Sequence, residues 1–258
     1  MGMKQIENYF RSVQNKGARL FVPYIVAGDG GLDVLHERIK LLEESGVAAI
    51  ELGIPFSDPV ADGPTIQQAS ERALQNGTTL RNVLEVLRAH KAERNVPIIL
   101  MTYVNPIYAY GIETFAHDCA TAGVSGLIIP DVPMEEESLL ADAFAMNELA
   151  FIRLAALTSP EERLRDIAAK TEGFLYAVSV TGTTGERHTY EERVYSYLQT
   201  LKTYSDVPVL AGFGISHPEQ AKTFGNYCDG VIVGSKIVDL FHAGKDADVT
   251  KFVKESIF

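Results

Sequence analysis

The sequence predicts an α/β fold: a (β/α)8 barrel with an extra N-terminal helix and a short phosphate-binding helix after the eighth strand. Three observations carry this reading. Eight short apolar runs alternate with helical patterns along 258 residues. That length suits one large core, and no linker or composition shift divides it, so residues 1–258 read as a single barrel domain. No Gly-x-Gly-x-x-Gly fingerprint follows the first strand, which weighs against the rival, a doubly wound open sheet.

Residues 3–17 form an amphipathic opening helix, with Ile6, Tyr9, Phe10 and Val13 on one face and Gly17 at its end. The first strand is 20–26. Gly28-Asp-Gly-Gly31 breaks the chain, and 32–44 is a helix with Leu35, Ile39 and Leu42 in register. The second strand is 47–53. Helical patterns follow over 65–76 and 79–94, then the third strand at 97–103. Residues 112–122 are helical, 126–130 the fourth strand, 135–147 helical and 150–155 the fifth strand. Ser159-Pro-Glu-Glu162 starts a helix with Ser159 as cap and Pro160 in its first turn. The sixth strand is 174–178. Residues 179–189 form a long loop rich in Gly and Thr, and 190–204 are helical. The seventh strand (207–211), a helix (217–224), the eighth strand (230–233) and two short helices (235–242 and 246–256) complete the chain.

Barrels of this kind place their active sites at the C-terminal strand ends and the loops that follow. That rule selects Glu51 and Asp62 after the second strand, Tyr103 and Asn105 after the third, and Asp131 after the fourth. It also selects Tyr176 in the sixth, 181–185 after it, Gly212-Phe-Gly214 after the seventh and Gly234-Ser235 after the eighth. Side chains alternate along a strand, so Ile50 and Leu52 face the helices while Ala49, Glu51 and Gly53 face the interior. Glu51 is then either an acid/base group or an ion-paired core carboxylate, with Arg153 the one cation near a strand end. Asp62 precedes Gly63 and reads equally as a turn residue. The glycines at 212, 214 and 234, with Ser235 as cap and anion donor and Gly185 adding a backbone contact, occupy positions where barrels bind phosphate.

Other chemistries find less support. The net charge of −11 argues against nucleic acid or an anionic membrane surface. No apolar run has the length of a membrane span and the N-terminus lacks a signal core, so a cytoplasmic address is expected. Cys119 and Cys228 read as buried thiols. The six histidines show no metal-ligand spacing and read as surface or helix residues, so no metal is expected. No lysine ends a strand, which disfavours a Schiff base.

The stretch Glu51-Leu-Gly-Ile-Pro-Phe-Ser-Asp-Pro-Val-Ala-Asp-Gly-Pro-Thr-Ile-Gln67 closely resembles the signature of the tryptophan synthase alpha subunit family. The likeness continues through Leu100-Met-Thr-Tyr-Val-Asn-Pro106, Pro130-Asp-Val-Pro133, Gly212-Phe-Gly-Ile-Ser216 and Val233-Gly-Ser235, in order along nearly the whole chain. The resemblance implies a carbon–carbon lyase without a cofactor of its own, cleaving indole-3-glycerol phosphate to indole and glyceraldehyde 3-phosphate in tryptophan biosynthesis. It implies Glu51 and Asp62 as the catalytic pair; the apolar strand around Glu51 predicts a raised pKa for it, with Asp62 ionised. Tyr24, Ile66, Tyr103, Tyr176 and Thr184 would contact the substrate, and Gly185, Phe213, Gly214, Gly234 and Ser235 would hold its phosphate. Thr184 belongs to a loop that closes over the site, although Glu186-Arg-His-Thr189 is more charged than the family stretch. The partner implied is a beta subunit carrying pyridoxal phosphate, in an α2β2 complex, met by Pro55, Phe56, Asp58, Asn105 and Pro106 and by the loop 105–110. Three alternatives stay open: a stand-alone lyase releasing free indole, a non-catalytic activating subunit, and a sugar-phosphate isomerase or epimerase barrel.

Overall fold

The computed structural model describes residues 2–178, 187–212 and 214–257. The order is α1 (Gly2–Asn15), β1 (Leu20–Val26), α2 (Leu35–Glu44), β2 (Ile50–Gly53), α3 (Pro64–Gln75), α4 (Leu80–Ala89), β3 (Ile98–Met101), α5 (Val104–Tyr110), α6 (Ile112–Thr121) and β4 (Val124–Ile128). Then come α7 (Ser138–Met146), β5 (Ala150–Phe151), β6 (Arg153–Ala156), α8 (Glu161–Lys170), β7 (Leu175–Val178), α9 (Arg187–Tyr204), β8 (Val209–Gly212), α10 (Pro218–Phe224), β9 (Gly230–Val233), α11 (Ser235–His242) and α12 (Asp246–Ile257). Among the described residues, no helix is long and apolar enough to cross a membrane.

The strands form one parallel sheet in the order β5-β4-β3-β2-β1-β9-β8-β7-β6. Its two ends, β5 and β6, are consecutive in the chain, with Ile152 alone between them, so the sheet is rolled into a barrel. The predicted fifth strand is therefore two pieces. Its first half pairs with β4 and its second with β7. At the junction the Arg153 N–H leaves the ladder and donates to Thr171 Oγ1 at 3.0 Å. Nine strands thus make eight staves.

Two apolar layers follow from the alternation. Ile50, Leu52, Ile98 and Leu100 pack outward against α2, α4 and α6 through Leu42, Leu84 and Phe115. Val22, Ile99, Ile128, Ile152, Leu210 and Ile232 fill the interior. Ile6, Phe10 and Val13 of α1 join that interior core, and Phe10 meets Phe174, just before β7, with ring centroids 6.1 Å apart. The extra helix therefore plugs the N-terminal end of the barrel and leaves only the C-terminal end open for chemistry.

Several element boundaries differ from the sequence reading. Residues 105–110, expected as a loop, lie in α5. Its first N–H, at Val104, donates to both carboxylate oxygens of Asp131 at 3.0 and 3.2 Å. Helix α8 begins one residue late: Pro160 holds the cap position and Ser159 makes no side-chain cap. The helix before β3 ends at Ala89 and resumes as a short 3₁₀ turn, Lys91–Glu93. Its start is as expected, with Thr79 and Asn82 capping each other's backbone N–H groups. The predicted loop 179–189 falls largely outside the described residues, and 187–189 belong to α9.

Candidate active site

A cavity of about 830 Å³ opens at the C-terminal end of the barrel. Tyr24, Glu51, Asp62, Ile66, Tyr176, Gly212, Gly214, Gly234 and Ser235 all line it, drawn from β1, β2, α3, β7, β8 and the β9–α11 junction. Glu51 is at the floor. It sits beside Tyr24 in the β1–β2 register and beside Ile99 in the β2–β3 register, so its carboxyl rests on the apolar interior layer. Glu51 is fully buried, and neither of its oxygens has a hydrogen-bond partner. The ion-pair reading fails on Arg153, whose guanidinium is bound to Glu137 at 2.7–3.0 Å. Burial first, and the nearby Asp62 charge second, push the Glu51 carboxyl up to about 8. At neutral pH it is mostly a neutral acid, which is how an unpartnered carboxyl can be tolerated there.

Asp62 is held differently. Tyr103, two residues past β3 at the cap of α5, donates its hydroxyl proton to Asp62 Oδ2 at 2.9 Å and accepts the Ala61 N–H at 3.1 Å. The backbone donor orients the phenol so that its proton goes to the carboxylate. Burial raises the Asp62 carboxyl, and the Tyr103 hydrogen bond pulls it down. Tyr103 therefore supports Asp62 from behind rather than lining the cavity.

The strand-end glycines at 53 and 212 do not leave empty room. A Cβ on Gly53 would overlap the Tyr24 hydroxyl, and one on Gly212 would overlap the Tyr176 ring. The two glycines are where these tyrosines lean over the strand ends. Burial raises both phenols well above their ordinary range, with the Glu51 and Asp62 charges adding to it.

At the opposite wall, Gly214 has φ +64, a conformation that costs any other residue strain. Gly234 occupies the cap of α11, and Ser235 is its first residue, exposed, with no side-chain cap. The expectation that Ser235 caps the helix is corrected: it is one position too late, and its backbone N–H is among those a helix start leaves unpaired. Lys236 and Asp239 of α11, with Ser216, Met101 and Leu154, also line the cavity. None of them was marked by a strand-end rule. Lys236, two residues past a Gly at a helix start, was the one that could have been. Thr184, Gly185 and Phe213 lie outside the described residues.

Of the partner-facing set, Asp58 and Asn105 are exposed, Phe56 and Pro106 half-buried, and Pro55 is buried. Phe56 packs on Tyr103 with centroids 5.2 Å apart. Val60 and Tyr108 stand out more, at 83% and 77% exposed.

The family model for the tryptophan synthase alpha chain matches residues 10–257. The chain belongs to the tryptophan synthase alpha chain family. A tryptophan synthase alpha chain from Oceanobacillus iheyensis is 55% identical over 257 residues, covering 100% of this chain and 98% of the relative. The solved structure of the tryptophan synthase alpha subunit from Legionella pneumophila superposes with a TM-score of 0.88 at 32% identity, covering 98% of this chain and 96% of that one. A chain of the Mycobacterium tuberculosis tryptophan synthase structure gives 0.88 at 33% identity, covering 97% and 96%. The tryptophan synthase alpha fold, a TIM barrel, is the fold described above.

Proposed function

We propose that this chain is the lyase component of a tryptophan synthase, cleaving indole-3-glycerol phosphate to indole and glyceraldehyde 3-phosphate. Supporting it most directly is Glu51: a buried, unpartnered carboxyl, protonated at neutral pH, at the floor of the cavity. The reaction needs a proton delivered to indole C3, which turns the ring into an electron sink. The bond from C3 to the carbinol carbon then breaks, its electrons return to the ring, and the carbinol hydroxyl loses its proton as the aldehyde forms. Glu51 gives the first proton and takes the second, so it ends as it began. Asp62 carries the opposite task. With Oδ2 held by Tyr103, its other oxygen is available to the indole N–H, where a negative charge stabilises the cationic ring. Two carboxyls in one cavity thus hold different protonation states because their surroundings differ.

Tyr24, Ile66 and Tyr176 supply the apolar walls for the indole, with Tyr103 acting through Asp62. The backbone around Gly214, Gly234 and Ser235, with Gly185 and Phe213, takes the phosphate, assisted by the Lys236 ammonium. Thr184 belongs to the segment that covers the bound substrate. The chain needs no cofactor of its own. Its partner is a beta subunit carrying pyridoxal phosphate, in an α2β2 assembly. The test is indole release by Glu51→Gln with the beta subunit present. A fall of about 10²–10⁴-fold is expected. A wild-type rate would overturn the assignment of Glu51, and no indole release by the wild-type mixture would favour a subunit that only activates its partner.

A further inference from the structure

A second chemical cluster lies on the outer wall, away from the cavity. His36 is in the first turn of α2, His90 is the residue that ends α4, and Glu93 is in the following 3₁₀ turn. Their donor atoms all lie within 4.8 Å of one another, the one such group among the described residues. Glu93 Oε2 is 3.2 Å from His36 Nε2, and Glu93 Oε1 is 2.9 Å from His90 Nδ1. The imidazoles are stacked, centroids 3.9 Å apart and planes 15° from parallel. Read from the sequence, these histidines are surface or helix residues, because they show no metal-ligand spacing and end no strand.

We propose that His36, His90 and Glu93 form a binding site for a borderline divalent transition metal, Zn²⁺ being the type. The argument is geometric and chemical. Zn–N and Zn–O bonds are about 2.0–2.1 Å, so neighbouring ligand atoms on a tetrahedron stand about 3.3 Å apart. The His36–Glu93 separation of 3.2 Å is close to that spacing and the His90–Glu93 separation of 2.9 Å is inside it, so that a metal would replace the two shared protons with a small opening of the His90 contact. Bringing both nitrogens onto one ion requires the stacked rings to splay. His90 and Glu93 have the freedom for this, their side chains being 38% and 57% exposed, while His36, 16% exposed, is the fixed point. Two imidazoles with one carboxylate select Zn²⁺, Ni²⁺ or Co²⁺ over Mg²⁺ or Ca²⁺, which prefer all-oxygen shells. Solvent supplies the fourth position. The cations flanking Glu93 in sequence do not compete for it: Lys91 is turned to the Ala120 and Thr121 carbonyls, and Arg94 to those of Leu87 and Ala122.

The ion would act as a brace. It would tie α2, which leads into β2 and Glu51, to the end of α4, which leads into β3 and Tyr103. Binding to the folded state alone raises stability.

The test uses the full-length, tag-free chain, titrated with ZnCl₂ by calorimetry and with CoCl₂ by visible absorption. One equivalent is expected, with the intense d–d bands of a four-coordinate cobalt site. The melting temperature should rise by roughly 5 °C at a hundredfold excess of Zn²⁺ over Kd. His36→Gln, His90→Gln and Glu93→Gln should each weaken binding by about tenfold or more, since even outer-shell partners of a metal cost about 10–100-fold. Each should also remove the thermal gain. His117→Gln, on exposed α6 surface, should change neither. No saturable binding by the wild type would overturn the proposal. So would binding that survives the His90→Gln and Glu93→Gln substitutions, whose exposed positions spare the fold.

Discussion

Glu51 and Asp62 share a cavity but are held by different means, and each arrangement has a measurable signature. Below pH 4.5 the folded and unfolded chains both keep the Glu51 proton. As pH rises from 4.5 to about 8, the unfolded chain releases a proton that the folded chain retains, so wild-type stability falls through that window. Above it the loss is complete, on the order of 5 kcal/mol. The melting temperature of Glu51→Gln should therefore gain on wild type as pH climbs from 5 to about 8.5; a difference that stays flat with pH would mean Glu51 is not a buried neutral acid. Tyr103→Phe keeps the ring against Phe56 but deletes the hydrogen bond to Asp62. A hydrogen bond to a charged group is worth about 1.5–3 kcal/mol, so kcat/KM should fall roughly 10–100-fold. The acid limb of its pH profile should also move up, because the bond holds the Asp62 carboxyl down. A tyrosine that merely walled the pocket would raise KM and leave that limb in place. The position of Glu51 on the interior face was legible from strand alternation alone. The support of Asp62 by Tyr103 was not, since it depends on where a loop folds back 41 residues away.

At the scale of elements, the alternation of apolar strands and helices was readable from local signals, to within a residue at the starts of α8 and α11. Thr79 with Asn82 and Pro64 after Gly63 mark helix starts as their chemistry requires. What escaped depends on distant partners. The segment 105–110 reads as a loop in sequence, being short and carrying Pro106. In α5, Pro106 is the third residue, where the missing N–H would have had no intrahelical acceptor anyway. The cap comes from Asp131, 27 residues later, on the loop after the neighbouring stave. The break at Ile152 has the same kind of cause, since one strand must serve two partners as the barrel closes. Asp131→Ala should cost about 0.5–2 kcal/mol, the range for losing a helix cap. In a chain of this size that lowers the melting temperature by about 1–8 °C. Asp131→Asn, which keeps an acceptor oxygen, should recover most of it. An alanine variant that melts with the wild type would show that α5 stands without its cross-strand cap.

For the whole molecule, the barrel is closed below by α1 and open above, so the chemistry sits at the C-terminal rim. Among the described residues, the two most exposed large apolar side chains, Val60 and Tyr108, both lie there, on the loop after β2 and on α5. Val60 also lines the cavity, which makes it a poor reporter of association alone. Tyr108 is the cleaner probe. It sits on the helix that starts beside Tyr103 and is capped by Asp131, so a subunit docked on α5 bears on the side chain that holds Asp62. This gives a physical route from association to activity that does not require the partner to touch the substrate. Tyr108→Ser should weaken binding to the beta subunit by about tenfold, the effect of truncating an aromatic contact worth more than about 1 kcal/mol. The rate of the isolated chain should be unchanged, and at saturating beta subunit part of the stimulation should be lost as well. If affinity falls while saturating beta subunit restores the full stimulation, α5 serves as a foothold only, and the signal to Asp62 enters through the loop carrying Phe56.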